Sequence, residues 1–454
     1  MKELFKKALE LASVLLKQRE VLIVTHIDAD GITSGSIAYQ ALERVGIEKE
    51  IVFTKQLDKE VVDIAKGYDF VWFTDIGSGQ LDLIKDLNFV ITDHHIPKGY
   101  HRMQLNPHEF GYDGSIELSG ATTTYLVAKF MLRRNLFDFE KGCEDLSALA
   151  IVGAVGDLQD SKHGKLIGLN RYVLDDGVKY GYIEVKRDLR LFGKQTRPIV
   201  KVLEYTTNPY LPMISGNEIG AVEFLKSLGV DPWKRWIELS LEEKRKVVSG
   251  IVRLCMEYGI PFEVIRGLVG ECYILLKEKE GTEKRDATEY STLLNATARY
   301  NQAEVGLKVC LGDENAFKRA RTLLQNHRRI LSEGIRFLDE IGIVELENIQ
   351  YFNAGNEIPD TVVGIIAGMY YYKANPNKPI VGFAESDRGV KVSVRANHRL
   401  VERGVHLAKA VSYAAKKVGG SGGGHSIAAG ATIPKGKEKE FLEILDRIIG
   451  EQMR

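Results

Sequence analysis

Three short segments of this chain bring together acids and imidazoles in a pattern that suits a divalent cation. They are His26-Ile27-Asp28-Ala29-Asp30-Gly31, Thr74-Asp75-Ile76-Gly77 and Thr92-Asp93-His94-His95. Carboxylates gathered in one place repel one another and would partly protonate. A divalent cation removes that problem, and two remove it better. Mixed carboxylate and imidazole donors suit manganese, magnesium or a related ion. Two metals about 3.5–4 Å apart form the usual clamp for in-line displacement at phosphorus. Asp75 is alone at its strand end and well placed to bridge such a pair. A single aspartate before a helix is commonly just a cap, but HxDxDG, a lone Asp and DHH together are not a capping device. A second metal needs a further acid. Asp157 follows Gly153-Ala154-Val155-Gly156 in an otherwise apolar segment, Ala148–Asp160, and buried helices rarely end on a carboxylate without a partner. Asp160 is the weaker candidate, a cap or a surface acid.

These residues need a scaffold that makes them converge. Val21–His26, Ile51–Lys55, Asp69–Asp75 and Phe89–Asp93 read as short, nearly continuous apolar strands. Between them Ile32–Arg44, Lys59–Lys66 and Leu81–Leu87 read as helices. That alternation predicts a parallel sheet covered on both faces, an α/β doubly wound domain. In such sheets ligands bind beyond the carboxyl ends of the strands, and each of the three segments closes a strand. Helices are expected at Ala121–Leu132 and Cys143–Val155, a mostly helical segment from Lys186 to Gly281, and a long helix over Ala316–Ile341. Strands at Ile380–Ala384 and Val390–Arg395 and a helix at His406–Val418 predict a smaller C-terminal α/β domain.

The chain has 454 residues, and at roughly 100–200 residues per domain this means two to four domains. Apolar residues make up 44% and charged residues 27%, which excludes a disordered chain. Lys+Arg and Asp+Glu are both 62, so any nucleic-acid affinity must come from local patches. Four scattered cysteines without a CxxC pair argue against a thiolate zinc site or a disulfide framework and fit a reducing cytoplasm. The N-terminus reads as an amphipathic helix, not a signal peptide, and no apolar run nears the length of a membrane span.

Gly419-Gly420-Ser421-Gly422-Gly423-Gly424-His425 leads into Ser426-Ile427-Ala428-Ala429-Gly430. Consecutive glycines let the backbone approach a ligand and point N–H groups at a phosphate; His425, Ser393 and Arg395 could add donors. Lys186–Lys201 carries six basic residues against Asp188, and Arg388–Lys417 carries eight against Glu402. Either run could track a phosphate backbone or be an ordinary solvated face. Phe192, Tyr205 and Tyr210 lie near the first run and could stack on bases.

HIDADG, Asp75, Asp93-His94-His95 and Asp157 together resemble the motifs of the DHH phosphoesterase superfamily. GGGHSIAAG resembles the hallmark of its accessory DHHA1 domain. Glu289–Asp313 (EYSTLLNATARYNQAEVGLKVCLGD) resembles the segment that links the two domains in the RecJ branch. The whole is most like archaeal RecJ-like nucleases, including the GINS-associated nuclease. The resemblance implies a DHH catalytic domain over 1–185, a mostly helical insertion over 186–285, linking helices over 286–349 and a DHHA1 substrate-binding domain over 350–454. It implies manganese- or magnesium-dependent hydrolysis of phosphodiesters in single-stranded DNA or RNA, with two metal ions. His26, Asp28 and Asp75 would hold one metal, and Asp30, Asp75, His94 and Asp157 the other. His95 would face the phosphate, and Asp93 would orient the neighbouring histidines. Ser393, Arg395, Gly422, Gly423, Gly424 and His425 would hold a substrate phosphate or terminal nucleotide. Asn295 and Arg299 would contact the strand. The HxDxD spacing is shorter than the HxxxDxD of relatives with small substrates, which leaves the ligand division at the first metal open. Other readings are a phosphodiesterase for oligoribonucleotides or cyclic dinucleotides, and a replication-complex scaffold that binds GINS. Some eukaryotic relatives have lost the acids; this chain keeps them all.

Overall fold

The computed structural model describes residues 1–132, 142–206, 209–371 and 373–453. The chain divides into two compact units, residues 1–324 and 325–454.

The first unit opens with the amphipathic helix α1 (Lys2–Leu15), which buries Leu4, Ala8, Leu11, Ala12 and Leu15 at helical spacing. Then β1 (Glu20–His26), α2 (Ala29–Arg44), β2 (Glu48–Thr54), α3 (Lys59–Ala65), β3 (Val71–Thr74), α4 (Leu81–Ile84), β4 (Phe89–Thr92) and β5 (Gln104–Leu105) alternate along the chain. The five strands form one sheet in the order β2-β1-β3-β4-β5, and every pairing is parallel. This is the doubly wound architecture that the sequence pattern predicts. Its strands are buried on both faces. In β1, Val21 and Ile23 enter a core shared with α1, α2, α5 (Gly120–Leu132) and α6 (Ser147–Gly156). Leu22 and Val24 enter a second core with Val61 and Ala65 of α3 and Ile84 of α4.

After α7 (Gly168–Lys179) come two strands that the sequence reading misses. β6 (Ile183–Leu189) and β7 (Val269–Leu275) pair antiparallel over their full length. Between them lies the expected helical insertion: α8 (Ile199–Glu204), α9 (Glu218–Ser227), α10 (Leu241–Glu257) and α11 (Phe262–Arg266). Trp236, Val247 and Ile251 help to give it a core of its own. Charges on both faces of β6 (EVKRD), with Lys186 and Arg187 exposed, hide the strand period. α12 (Ala287–Arg299) and α13 (Ala303–Cys310) follow, then the long α14 (Glu314–Ile341).

The second unit is a six-stranded sheet in the order β12-β13-β11-β10-β9-β8. Its strands are β8 (Val344–Glu345), β9 (Gln350–Asn353), β10 (Ile380–Ser386), β11 (Gly389–Arg395), β12 (Ser421–Gly424) and β13 (Ala428–Ile433). α15 (Val363–Tyr370) packs with Phe352, Ile380 and Ala384. After the short α16 (His398–Glu402), α17 (Leu407–Lys417) and α18 (Glu438–Gln452) cover Val390, Val392 and Val394 on the opposite face of β11. Among the described residues no helix is long and apolar enough to cross a membrane.

Candidate metal centre

The strand order reverses at β1: the chain leaves β1 for β2 on one side and returns to β3 on the other. The crevice beyond the carboxyl ends of β1 and β3 is therefore the topological switch point, where open α/β sheets bind ligands. Thr25 is in register with Thr74, and Thr74 with Thr92. His26, Asp75 and Asp93 consequently leave the sheet side by side. The Asp75 N–H still donates to the Thr92 carbonyl at 2.8 Å, but its backbone turns left-handed, with φ 57°. Aspartate is among the few residues that tolerate this conformation.

All the predicted ligands meet here. His26, Asp28 and Asp75 form one set of donor atoms lying within 4.8 Å of one another; Asp30, His94 and Asp157 form another, and Asp75, His94 and His95 a third. The two oxygens of Asp75 face different sides: Oδ2 lies 3.7 Å from His26 Nδ1, and Oδ1 lies 3.2 Å from His94 Nε2. His94 Nε2 is also 3.3 Å from Asp157 Oδ2 and 3.6 Å from Asp30 Oδ2.

Asp93 stands apart from these sets and orients the histidines. Its Oδ1 accepts from the His94 N–H at 2.7 Å and pairs with His95 Nδ1 at 2.8 Å, and its Oδ2 accepts from the Ser78 N–H at 2.9 Å. His94 Nδ1 lies 2.6 Å from the Gly114 carbonyl. A carbonyl only accepts, so Nδ1 carries the proton and Nε2 presents its lone pair to the acids, the usual arrangement of a metal-ligating imidazole.

The electrostatics follow from crowding. Burial, then the charges of Asp30, Asp28 and Asp157, hold the Asp75 carboxyl well above its ordinary value. Burial and Asp30 push Asp157 up to about 7, and burial raises Asp30. Burial works against an ionised Asp28, but the close approach and charge of His26, whose Nδ1 lies 3.0 Å from Asp28 Oδ2, prevail and lower its pKa. The Asp93 hydrogen bond raises His95 to about 9. Three buried atoms here make no well-directed hydrogen bond: His26 Nδ1, Asp75 Oδ1 and His94 Nε2. Buried polar atoms normally have partners. Three orphans of metal-donor type, facing acids that resist joint ionisation, fit a site built for divalent cations.

Several supporting residues give no motif-level signal. The start of α5 closes on Asp30, which accepts from Ser119 Oγ, Gly120 N–H and Ala121 N–H at 3.0, 2.7 and 3.0 Å. A Cβ on Gly120 would lie 2.3 Å from Asp75 Oδ1, and one on Gly153 would lie 2.4 Å from Asp30 Oδ1. Gln159 donates to the Gly114 carbonyl and accepts from Asn170, a chain of buried amides behind His94. Asn295, expected from the resemblance to touch a nucleic-acid strand, has another partner. Its side-chain oxygen accepts from the Ala29 N–H at 3.0 Å, tying α12 to the HxDxD turn. Arg299, one turn on, is half-buried, and burial lowers its pKa. Asp160 is neither a cap nor a surface acid: it is buried and pairs with Arg190 at 2.6 Å.

Comparison with known proteins matches residues 20–151 to the N-terminal domain of the DHH family, 191–269 to the DHH-CID domain and 347–451 to the DHHA1 domain. The uncharacterized protein MJ0831 of Methanocaldococcus jannaschii is 35% identical over 448 residues, covering 96% of this chain and 94% of its own. The chain belongs to the DHH family. RecJ of Thermus thermophilus, solved in complex with Mn2+, has the same fold at 16% identity and a TM-score of 0.61, with 98% of this chain covered. This chain spans 55% of the length of that RecJ chain. CDC45 of Entamoeba histolytica aligns with a TM-score of 0.67 at 13% identity, covering 99% of this chain and 98% of its own. The fold is that of a phosphoesterase and nuclease superfamily, and its acid and histidine clusters could hold metal.

In the DHHA1 unit the glycine run is a strand, not a loop. Ser421–Gly424 forms β12 at the sheet edge, mostly exposed and paired only with β13. Edge strands keep unpaired backbone groups, so the donors expected of a glycine loop line an edge instead. Register puts Ser393 beside Gly430, and Gly430 beside Gly423; Arg395 is beside Ala428. Gly422 pairs with Ala431 and Gly424 with Ala429, and His425 follows at the exposed end. Ser393 and Arg395 share a face, and α15 reaches them at Gly364, where a Cβ would lie 2.5 Å from Arg395 Nη2. The basic run Lys186–Lys201 is largely spent inside the DHH unit: Arg190, Lys194 and Lys201 pair with Asp160, Asp188 and Glu204. Arg197 stacks on Phe192 and Tyr205.

Proposed function

We propose that this DHH protein is a metal-dependent, RecJ-like exonuclease that hydrolyses terminal phosphodiesters of single-stranded DNA or RNA. The observation that carries this reading is Asp75, whose two oxygens each face a separate donor set at the switch point of the sheet. His26 and Asp28 would complete one metal site, and Asp30, His94 and Asp157 the other. Manganese is the ion proposed, with magnesium as the alternative; the RecJ complex with Mn2+ supports that choice. Two bound cations would supply a nucleophilic water at neutral pH and neutralise charge on the phosphate. The side chains do the rest. Asp93 fixes the His95 ring through Nδ1, which leaves the other nitrogen of a half-exposed imidazole free to meet the phosphate. With its pKa raised to about 9, His95 is cationic at neutral pH and able to give a proton to the departing oxygen. Ser393, Arg395 and the glycine edge with His425 would bind the terminal phosphate. Asn295, which also holds the Ala29 N–H, and Arg299 would contact the strand.

The test is Asp75→Ala with Mn2+ on end-labelled DNA and RNA of several lengths. Loss of a bridging ligand should cost at least ~10²–10³-fold in rate. Cleavage at the wild-type rate would remove the two-metal reading. Activity undiminished on dinucleotides would move the substrate to short oligoribonucleotides or cyclic dinucleotides. The fold likeness to CDC45 favours a second reading, a scaffold that binds a replication complex such as GINS. If metal-site variants complemented a deletion strain as well as wild type, that reading would prevail.

A further inference from the structure

Of the second donor set, Asp30 and His94 are buried, and each is held by direct side-chain hydrogen bonds. Asp157 differs. It sits at the C-terminal end of α6 with its side chain 27% exposed. Its position therefore depends on the chain that follows, and that chain is not regular. Leu158 takes a left-handed backbone, φ 57°, with its side chain 68% exposed. A leucine rarely holds this conformation unless its surroundings impose it.

Gln159 is held by Gly114 and Asn170, and a further restraint comes from the two strands at the root of the insertion. Arg190, directly after β6, donates from Nη2 to Asp160 Oδ2 at 2.6 Å; both side chains are largely buried. The Arg190 backbone N–H is itself bonded to the Leu268 carbonyl at 2.8 Å, just before β7. The Gly164 carbonyl accepts from the Glu271 N–H of β7 at 2.8 Å. The Leu166 N–H donates to Tyr273 Oη, also of β7, at 2.7 Å. The segment from Asp157 to Leu166 is thus gripped at three points by β6 and β7, which enclose the insertion. The Arg190–Asp160 pair is the grip nearest Asp157, three residues away.

We propose that Arg190 is a positioning residue for the second metal: through Asp160 it sets Asp157, and it thereby couples the inserted domain to cation affinity in the Asp30–His94–Asp157 set. The proposal rests on the two-metal reading above. The first donor set, His26, Asp28 and Asp75, is tied to β7 by a different route, through α12: Asp286 at its start bridges Ile274 of β7, and Asn295 accepts from the Ala29 N–H. The coupling through Arg190 is consequently selective for the second site. Anything that breaks the Arg190–Asp160 pair, such as a partner that displaces the end of β6, moves the second metal site.

The experiment is calorimetric titration of the full-length protein with Mn2+, beside its metal-free melting temperature. Wild type should bind two ions. Arg190→Gln and Asp160→Asn should each weaken one site by about ten-fold or more, the effect typical of groups that orient metal ligands, and leave the other unchanged. Arg190→Lys should recover part of the loss. The double variant should be no weaker than either single one, since one interaction is removed. Unchanged affinity at both sites in Arg190→Gln would overturn the coupling. So would equal weakening of both sites with a lowered melting temperature, the mark of a purely structural pair. Failure of wild type to bind Mn2+ would instead refute the metal centre itself.

Discussion

Asp157 and His95 change charge in different pH ranges, so pH separates their contributions. The Asp157 carboxyl stands at about 7 in the fold against an ordinary 3.8. The folded state then holds more protons than the unfolded one between those values, and metal-free stability falls as pH rises through that window. Divalent cations reverse the sign, because they bind the ionised acids. The melting temperature should therefore rise more on adding Mn2+ at about pH 8 than at about pH 5.5, as thermal scans with and without chelator would show. An equal rise at both pH values would mean that the cation is held elsewhere. His95 has the same sign in a higher window. Its pKa is raised from 6.5 to about 9 by Asp93. The pair's contribution is complete below 6.5 and is lost as pH climbs through about 9. Asp93→Asn should move the alkaline limb of the pH–rate profile to lower pH and reduce kcat more than it changes KM. A limb that stays in place would assign it to another group.

At the scale of elements, the site depends on how closely α5 and α6 approach the strand ends. Gly120 and Gly153 stand where a methyl group would overlap Asp75 and Asp30. Gly120→Ala should destabilise the fold by about 1–3 kcal/mol, as overpacking does, and weaken Mn2+ binding at once. Denaturant unfolding and metal titration of the same sample check both effects; normal metal affinity would show that Asp75 relaxes freely. This contact also marks the limit of what the sequence makes legible. His26, Asp28, Asp30, Asp75, Asp93, His94 and His95 declare themselves because unusual chemistry sits at predictable strand ends. Ser119 and Gly120 do not, since Asp30 lies 90 residues from Gly120 and ordinary residue types make the bond. Nor does anything local to Asn295 say that its side chain holds the Ala29 N–H. The Ser421–Gly424 run reads as a loop because glycine is disfavoured in strands. Only pairing with Ala428–Ile433 makes it an edge. The helices and strands of the parallel sheet are readable because burial on both faces writes nearly continuous apolar runs. β6 and β7 are not, because charges fall on both faces of β6.

At the scale of the molecule, the proposed chemistry is divided between two units. Every proposed metal ligand lies in residues 1–324, whereas Ser393, Arg395 and the glycine edge lie in residues 325–454. A sequence change in the second unit should therefore leave cation binding alone and act on substrate. Arg395 supplies the sharpest case. Burial lowers its pKa, and its Nη1 donates to the neighbouring Val394 carbonyl at 2.9 Å, with no carboxylate paired to it among the described residues. A guanidinium placed on a sheet face beside Ser393 suits the planar recognition of a phosphate. Arg395→Ala should raise KM for a single strand by about ten-fold or more, equivalent to about 1.4 kcal/mol or more, with two Mn2+ ions still bound at wild-type affinity. Arg395→Lys should recover little, because a point charge does not replace a fork. If KM held constant while Mn2+ affinity fell, the division of labour between the units would be wrong, and Arg395 would belong to the metal chemistry instead.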